Sequence, residues 1–297
     1  MVWDTPAPAF TTDRIGELAT DETAPAIVSI SDIHGYLADA RSALLAVGES
    51  DQFDPVVTAD GDGRLHWADN DSVLVFNGDL VDRGNRNDAT VALALRLMRE
   101  APPGRVQYLL GNHEMAILLP EVLSWPRTYS QELDRDRRRQ FVSLVTDGVV
   151  RAAFDGYEYT YSHAGDADGV DVDTVNESAR RAGDELLAAM DSGQYDSAQA
   201  DVPRRFADVF GLGGSMGRGA DAGILWMDFQ HMPADAPPQV VGHTKQRAPT
   251  WAGRAICENV IRTTHGSPGG EAVLVETPDA LSTVTRQPDG SVSVEPT

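Results

Sequence analysis

The chain has 297 residues, of which 46 are Asp or Glu and 24 are Lys or Arg, for a formal net charge of -22 at pH 7. That balance leaves no basic stripe to neutralise phosphates, which argues against a general nucleic-acid binder. No stretch approaches the roughly 18 uninterrupted apolar residues of a membrane span, and the single cysteine, Cys257, excludes an internal disulfide or a cysteine-based zinc site.

Residues 1–23 read as a loosely held N-terminal extension, and residues 24–297 as one α/β domain. An apolar run over 26–31 suits a buried strand, and apolar residues at helical spacing follow over 36–47 (Leu37, Ala40, Leu44, Val47). Gly61 and Gly63 mark the turn of a hairpin. A second buried strand is expected over 72–76, a helix over 88–100 that Pro102 stops, a third strand over 105–110 and a helix starting over 115–119. This alternation predicts a parallel sheet with helical crossovers. Residues 127–150 are charged and helical in pattern, the centre of an expected cap around 120–155. A strand over 157–162, a helix over 172–190 and a short strand at Gln239–Val241 come next. Residues 192–222 are rich in Gly and polar side chains and show no clear period. The tail, 254–294, alternates in short runs with turns at Gly269-Gly270 and Asp289-Gly290, as antiparallel strands do.

The informative residues stand where the strands end. The first strand runs into Asp32-Ile33-His34-Gly35, the second into Gly78-Asp79 and Asp82-Arg83-Gly84, and the third into Gly111-Asn112-His113-Glu114. Two later strands run into His163 and into Gly242-His243-Thr244. Ligands of open α/β sheets bind outside the carboxyl ends of the strands. Asp32, His34, Asp79, Asn112, His163 and His243 are therefore expected at one edge. Carboxylate, imidazole and amide oxygen form a donor set for Mn, Fe or Zn rather than Ca. Six such groups exceed one tetrahedral site and suit a metal pair. Helix capping by Asp32, Asp79 and Asp82 is the competing reading. It leaves unexplained why each is joined by a His or an Arg.

These blocks, in this order, resemble the phosphoprotein phosphatase branch of the calcineurin-like metallophosphoesterases, over roughly residues 26–265. Gly-Asp-x-Val-Asp-Arg-Gly followed by Gly-Asn-His-Glu is the specific part. The resemblance implies a two-sheet mixed β-sandwich flanked by helices. It implies that Asp32 and His34 hold one metal, that Asn112, His163 and His243 hold the other, and that Asp79 bridges the two. It makes His113 the general acid, Asp82 its orienting partner and Arg83 the phosphate grip, with Asn112 also touching the phosphate. In-line attack on phosphorus by a hydroxide held between the metals completes the implied reaction. Ser31 and Ala164 stand where the family often has Gly. The segment Ile224-Leu225-Trp226-Met227-Asp228 matches in part, but the Arg-Gly stretch that usually follows it is missing. A second phosphate-binding arginine has no recognisable context; Arg218 and Arg127 are the candidates.

The implied function is hydrolysis of phosphate monoesters, with phosphoserine or phosphothreonine in proteins as substrates and two divalent metal ions, Mn first, as cofactors. Hydrolysis of dinucleoside polyphosphates such as diadenosine tetraphosphate is the alternative. A non-catalytic phosphate-binding scaffold is a further one. His66, His231 and His265 are left out of the site, Trp226 and Trp251 are assigned to the core, and Glu114 is given a supporting role. Arg135, Arg137, Arg138 and Arg139 read as a solvated helix face. The absence of a basic start and an apolar run near the N-terminus points to the cytoplasm. The Asp-rich charge, with Lys245 the only lysine, suggests a surface adapted to high salt, against the competing effect of GC-rich coding.

Overall fold

The structure, a computed structural model, describes Trp3 and residues 12–20, 23–214 and 218–297. Strand β1 (Ile27–Ile30) leads through helix α1 (Leu37–Glu49) and the hairpin β2 (Val57–Ala59) and β3 (Leu65–Trp67) to β4 (Val73–Phe76). Helix α2 (Asn87–Glu100) crosses to β5 (Val106–Leu109). β1, β4 and β5 pair in parallel, with every residue buried, and read as nearly unbroken apolar runs because both faces are covered. Four helices follow: α3 (Asn112–Leu118), α4 (Pro120–Leu123), α5 (Tyr129–Glu132) and α6 (Arg135–Thr146). Then β6 (Val150–Arg151) joins β5.

The chain next builds a second sheet from β7 (Ala153–Asp155) and β8 (Thr160–Ser162). After helix α7 (Val172–Ser192) and three short helices, that sheet gains β9 (Gln239–Val241), β10 (Thr250–Ala252) and β11 (Ala255–Cys257). The short helix Ile261–Thr264 carries the chain back to the first sheet as β12 (Ala272–Glu276), β13 (Leu281–Arg286) and β14 (Val292–Pro296). The strand orders are β14-β13-β12-β1-β4-β5-β6 and β10-β11-β9-β8-β7.

Side chains alternate across each strand. Ile27, Val73, Val75 and Leu109 of the first sheet meet Phe154, Tyr161, Val240 and Ile256 of the second. Their neighbours Val28, Ile30, Leu74 and Phe76 face the helices. The expected α/β sandwich of two mixed sheets flanked by helices is the observed one. No helix among the described residues is long and apolar enough to cross a membrane.

Some local expectations differ. α3 starts at Asn112 rather than near 115, because the Glu114 carboxylate accepts the Gly111 N–H at 2.9 Å and starts the helix early. The charged stretch after 127 is not one helix. Asp134 accepts the N–H of Arg137 as an N-cap, and Gly148 with φ 70° turns the chain into β6. Strand β7, folded onto β8, has no counterpart in the sequence reading. Arg138 does not belong to a solvated face: it is buried and donates to the Leu133, Ile117 and Gln131 carbonyls, closing the carboxyl end of α3. Of the expected N-terminal extension, residues 1–2, 4–11 and 21–22 lie outside the described residues. Trp3 packs edge-on against Phe141, with ring centres 5.9 Å apart.

Candidate active site

The carboxyl ends of β1, β4, β5, β8 and β9 open on one edge, and the loops after them are braced on each other. The amides of Asp32, His34 and Gly35 donate to Gly78, Asp79 and Leu80 in turn, at 2.8–3.0 Å. Six of the nine non-glycine residues described with positive φ lie on these loops: Asp32, His34, Asp79, Asp82, Arg83 and His243. Each such residue costs on the order of 1–3 kcal/mol, strain that tends to gather at functional sites. The glycines between them are required by close approach. A Cβ on Gly111 would lie 2.2 Å from Asp79 Oδ1, and one on Gly242 would lie 2.4 Å from Asp32 Oδ2.

Asp79 stands at the centre. Its Oδ2 lies 3.4 Å from His163 Nε2, 3.6 Å from His34 Nε2 and 3.9 Å from His113 Nε2. His34 Nε2 is also 3.7 Å from Asp32 Oδ1. Two buried groupings are tight enough to share an ion, His34–Asp79–His113 and Asp32–Asp79–His163, and both contain Asp79. Asn112 joins the remaining histidine to the cluster, with Oδ1 3.2 Å from His163 Nε2 and 3.0 Å from His243 Nδ1. The structure thus brings all six expected ligand residues together.

Backbone carbonyls orient the rings. His34 Nδ1 donates to Val81 O at 2.9 Å and His163 Nδ1 to Asn77 O at 3.0 Å, which leaves each Nε2 lone pair facing inward. Nε2 of His243 is buried with no hydrogen-bond partner. His113 Nδ1 donates to Asp82 Oδ2 at 2.5 Å, and its Nε2 lies 3.3 Å from Arg83 Nη2. Asp82 is itself held by the Ser130 amide and hydroxyl, both at 2.8 Å. Glu114 accepts the amides of Asp79 at 2.7 Å and Leu80 at 2.9 Å, and the Tyr108 hydroxyl at 3.0 Å, so it braces two loops from below.

The electrostatics fit a cation site. Burial, helped by the Asp79 charge and opposed by the His163 ring, pushes the Asp32 carboxyl up to about 7. Burial pushes the His34 imidazole down to about 3. Burial would lower His163 too, but the Asp79 carboxylate overrides it and raises that ring to about 10. Burial also acts first on Asp79, yet the rings of His163 and His113 hold its carboxyl well below the usual range. Two buried carboxylates competing for protons among three imidazoles are a donor set in want of positive charge. Oxygen and imidazole nitrogen together suit a divalent transition metal.

Some neighbours of the site were not visible in the sequence. Asn259 donates to Asp32 Oδ1 at 2.6 Å. It follows β11, which runs parallel to β9, so the strand-end rule would have found it had β11 been read as a parallel strand. The Trp125 ring lies 4.7 Å from that of His113 and 5.9 Å from that of Trp226, forming an aromatic wall beside His113. Of the candidate second arginines, Arg218 pairs with Asp228 at 3.0 Å and Arg127 is exposed. Arg262, half-buried, lies close enough to Arg83 that the two charges repel. That repulsion adds to burial in lowering its pKa.

Two solved structures share this architecture. The cold-active protein tyrosine phosphatase of a psychrophilic Shewanella species aligns over 97% of this chain and 83% of its own, with 18% identity and a TM-score of 0.58. A second structure titled as a cold-active protein tyrosine phosphatase gives 97%, 81%, 16% and 0.59. A protein serine/threonine phosphatase from Saccharomyces cerevisiae aligns over 93% of this chain and 81% of its own at 15% identity, with a TM-score of 0.47. The family model for calcineurin-like phosphoesterases matches residues 25–214, the stretch that holds the loops of β1, β4, β5 and β8. With that match laid over a buried nest of carboxylate and imidazole, the chain belongs to the calcineurin-like phosphoesterases, a family of hydrolases that depend on a metal pair.

Proposed function

We propose that the protein is a two-metal phosphatase acting on phosphate monoesters, with phosphoserine and phosphothreonine in proteins as its substrate class. The observation behind this reading is the gathering of three imidazoles around Asp79 at 3.4–3.9 Å, next to a His113–Asp82 pair at 2.5 Å. In this reading Asp32 and His34 would hold one ion and Asn112, His163 and His243 the other, with Asp79 common to both. When bound, the ions supply an acidified water as nucleophile and positive charge against the phosphate oxygens. Arg83 presents its exposed planar fork to those oxygens, with Asn112 beside it. His113 delivers a proton from Nε2 to the leaving oxygen while its Nδ1–H stays on Asp82. Manganese is the first metal to test, with iron and zinc as alternatives. The proposed setting is the cytoplasm, in keeping with a lone buried cysteine, Cys257.

The test is hydrolysis of an aryl phosphate and a phosphoserine peptide, in high salt, with Mn or with chelator. Mn-dependent turnover abolished by chelator is expected. No turnover on either ester with about two ions bound per chain would replace this reading with the phosphate-binding scaffold. One observation favours a second reading, hydrolysis of dinucleoside polyphosphates. A cleft of about 780 Å³, lined in part by Arg41, Arg83 and Arg86, opens beside the site with room for more than one phosphate. Diadenosine tetraphosphate assayed alongside the phosphopeptide separates the two.

A further inference from the structure

The cleft beside Arg83 is unusual for this protein. Acidic residues outnumber basic ones 46 to 24, so an arginine here should readily find a carboxylate. Yet Arg41, Arg83 and Arg86 line one cleft, and none of them forms an ion pair among the described residues. Arg262, close by, has none either. The Arg41 guanidinium packs against Gly63 at the tip of the β2–β3 hairpin, where an added Cβ would lie 3.0 Å from Nη1, and its Nε is buried without a hydrogen-bond partner. Arg86 is exposed at the N-cap of α2. The first turn of α1 lines the same cleft, so two helices of 13 and 14 residues turn their positive ends toward it. One carboxylate, Asp39, also lines it, but His265 Nδ1 engages that group at 2.9 Å, and the His265 ring stacks on Tyr36 at 4.0 Å.

We infer that this cleft is a subsite for a second phosphate group of the same substrate molecule, held by Arg41 and Arg86 while Arg83 grips the phosphate to be cleaved. The inference rests on the phosphatase reading above and narrows it: phosphoesters carrying a neighbouring phosphate are preferred over those with one. Arginine suits this role because its rigid fork matches phosphate oxygens two at a time. The negative field of the rest of the surface would oppose such a substrate, so the local arginines must supply the attraction.

The experiment compares wild type, Arg41→Gln, Arg86→Gln and the remote control Arg254→Gln on four substrates in Mn. These are an aryl phosphate, a singly phosphorylated peptide, the same peptide with a second phosphate nearby, and diadenosine tetraphosphate. Wild type should show a KM at least about tenfold lower for the doubly phosphorylated peptide, the tetraphosphate or both than for the singly phosphorylated peptide. Which of the two gains identifies the source of the second phosphate. Arg41→Gln and Arg86→Gln should erase that preference, with kcat/KM on the aryl phosphate unchanged within about twofold, and Arg254→Gln should keep it. Equal KM values in the wild type, or an equal loss in Arg254→Gln, would overturn the inference while aryl phosphate turnover persists. Loss of aryl phosphate turnover in the wild type would instead sink the phosphatase reading itself.

Discussion

His113 is placed by two neighbours that do different work. Asp82 fixes the ring through Nδ1, and Arg83 approaches Nε2, so a substitution at 113 should remove the proposed proton donor and leave the carboxylate–imidazole cluster standing. His113→Asn is expected to lower kcat roughly 10²–10⁴-fold on an alkyl phosphate, whose leaving oxygen needs the proton. The loss should be much smaller on a nitrophenyl phosphate, with metal content unchanged. Steady-state kinetics on both esters with metal analysis check this, and an equal loss on the two would remove the general-acid role. Gly111 gives a second expectation. Its Cβ would sit 2.2 Å from Asp79 Oδ1, so Gly111→Ala should displace the central carboxylate and release metal at concentrations where the parent stays loaded. Equilibrium dialysis reads that directly; unchanged metal content would mean that the loop absorbs the clash. At this scale the sequence was highly legible. Each proposed ligand residue follows a strand, and four of the six, His34, Asp79, Asn112 and His243, stand directly beside a glycine. Asn259 and Arg262 were not legible, because they act on Asp32 and Arg83 from across the fold, and ordinary polar residues in a tail carry no local mark.

Elements were legible where one period ran unbroken. The long helices and the buried parallel strands announce themselves. The two-residue β6, the three-residue β7 and the break between α5 and α6 depend on single caps and turns that composition blurs. β7 and β8 also depend on a partner in the other sheet. Glu276 on β12 accepts the amides of Glu158 at 2.6 Å and Tyr159 at 3.1 Å and the Tyr161 hydroxyl at 2.8 Å, tying the β7–β8 hairpin to the first sheet. Burial raises the Glu276 pKa above the ordinary glutamate value, despite these bonds. The folded state then holds this proton more tightly than the unfolded chain does. The stability it contributes is fully present below the unfolded-state pKa and is lost as pH rises through the higher folded-state value. Glu276→Gln keeps the shape and most of the bonds and should flatten that decline. Melting temperature followed from pH 5 to 8 in both proteins tests it, and parallel curves would assign the slope to other groups.

A net charge of -22 on a chain of this size is a burden at low ionic strength. Screening reaches about 10 Å at 0.1 M salt and about 3 Å at 1 M. If the surface is adapted to salt, the melting temperature should rise by about 3–5 °C between dilute buffer and molar KCl, roughly the effect of 1–2 kcal/mol in a domain this large. Calorimetry with KCl and, as a non-ionic control, sucrose would separate screening from exclusion; no rise in KCl would leave the composition to the coding of the genome.

The order in which the strands join has a consequence for synthesis. Asp32, among the earliest ligand residues to be made, waits for the His243 amide 211 positions later and for the Asn259 side chain 227 positions later. β1 likewise lies between β4 and the distant β12. A nascent chain can therefore assemble the β1–β4–β5 core early, but its acidic pocket stays without its last imidazole and the amide that anchors Asp32 until the final fifth of the protein emerges. A premature stop before residue 259 would leave out β12 to β14, so that β1 keeps an unpaired edge and Asp32 never meets the side chain that anchors it.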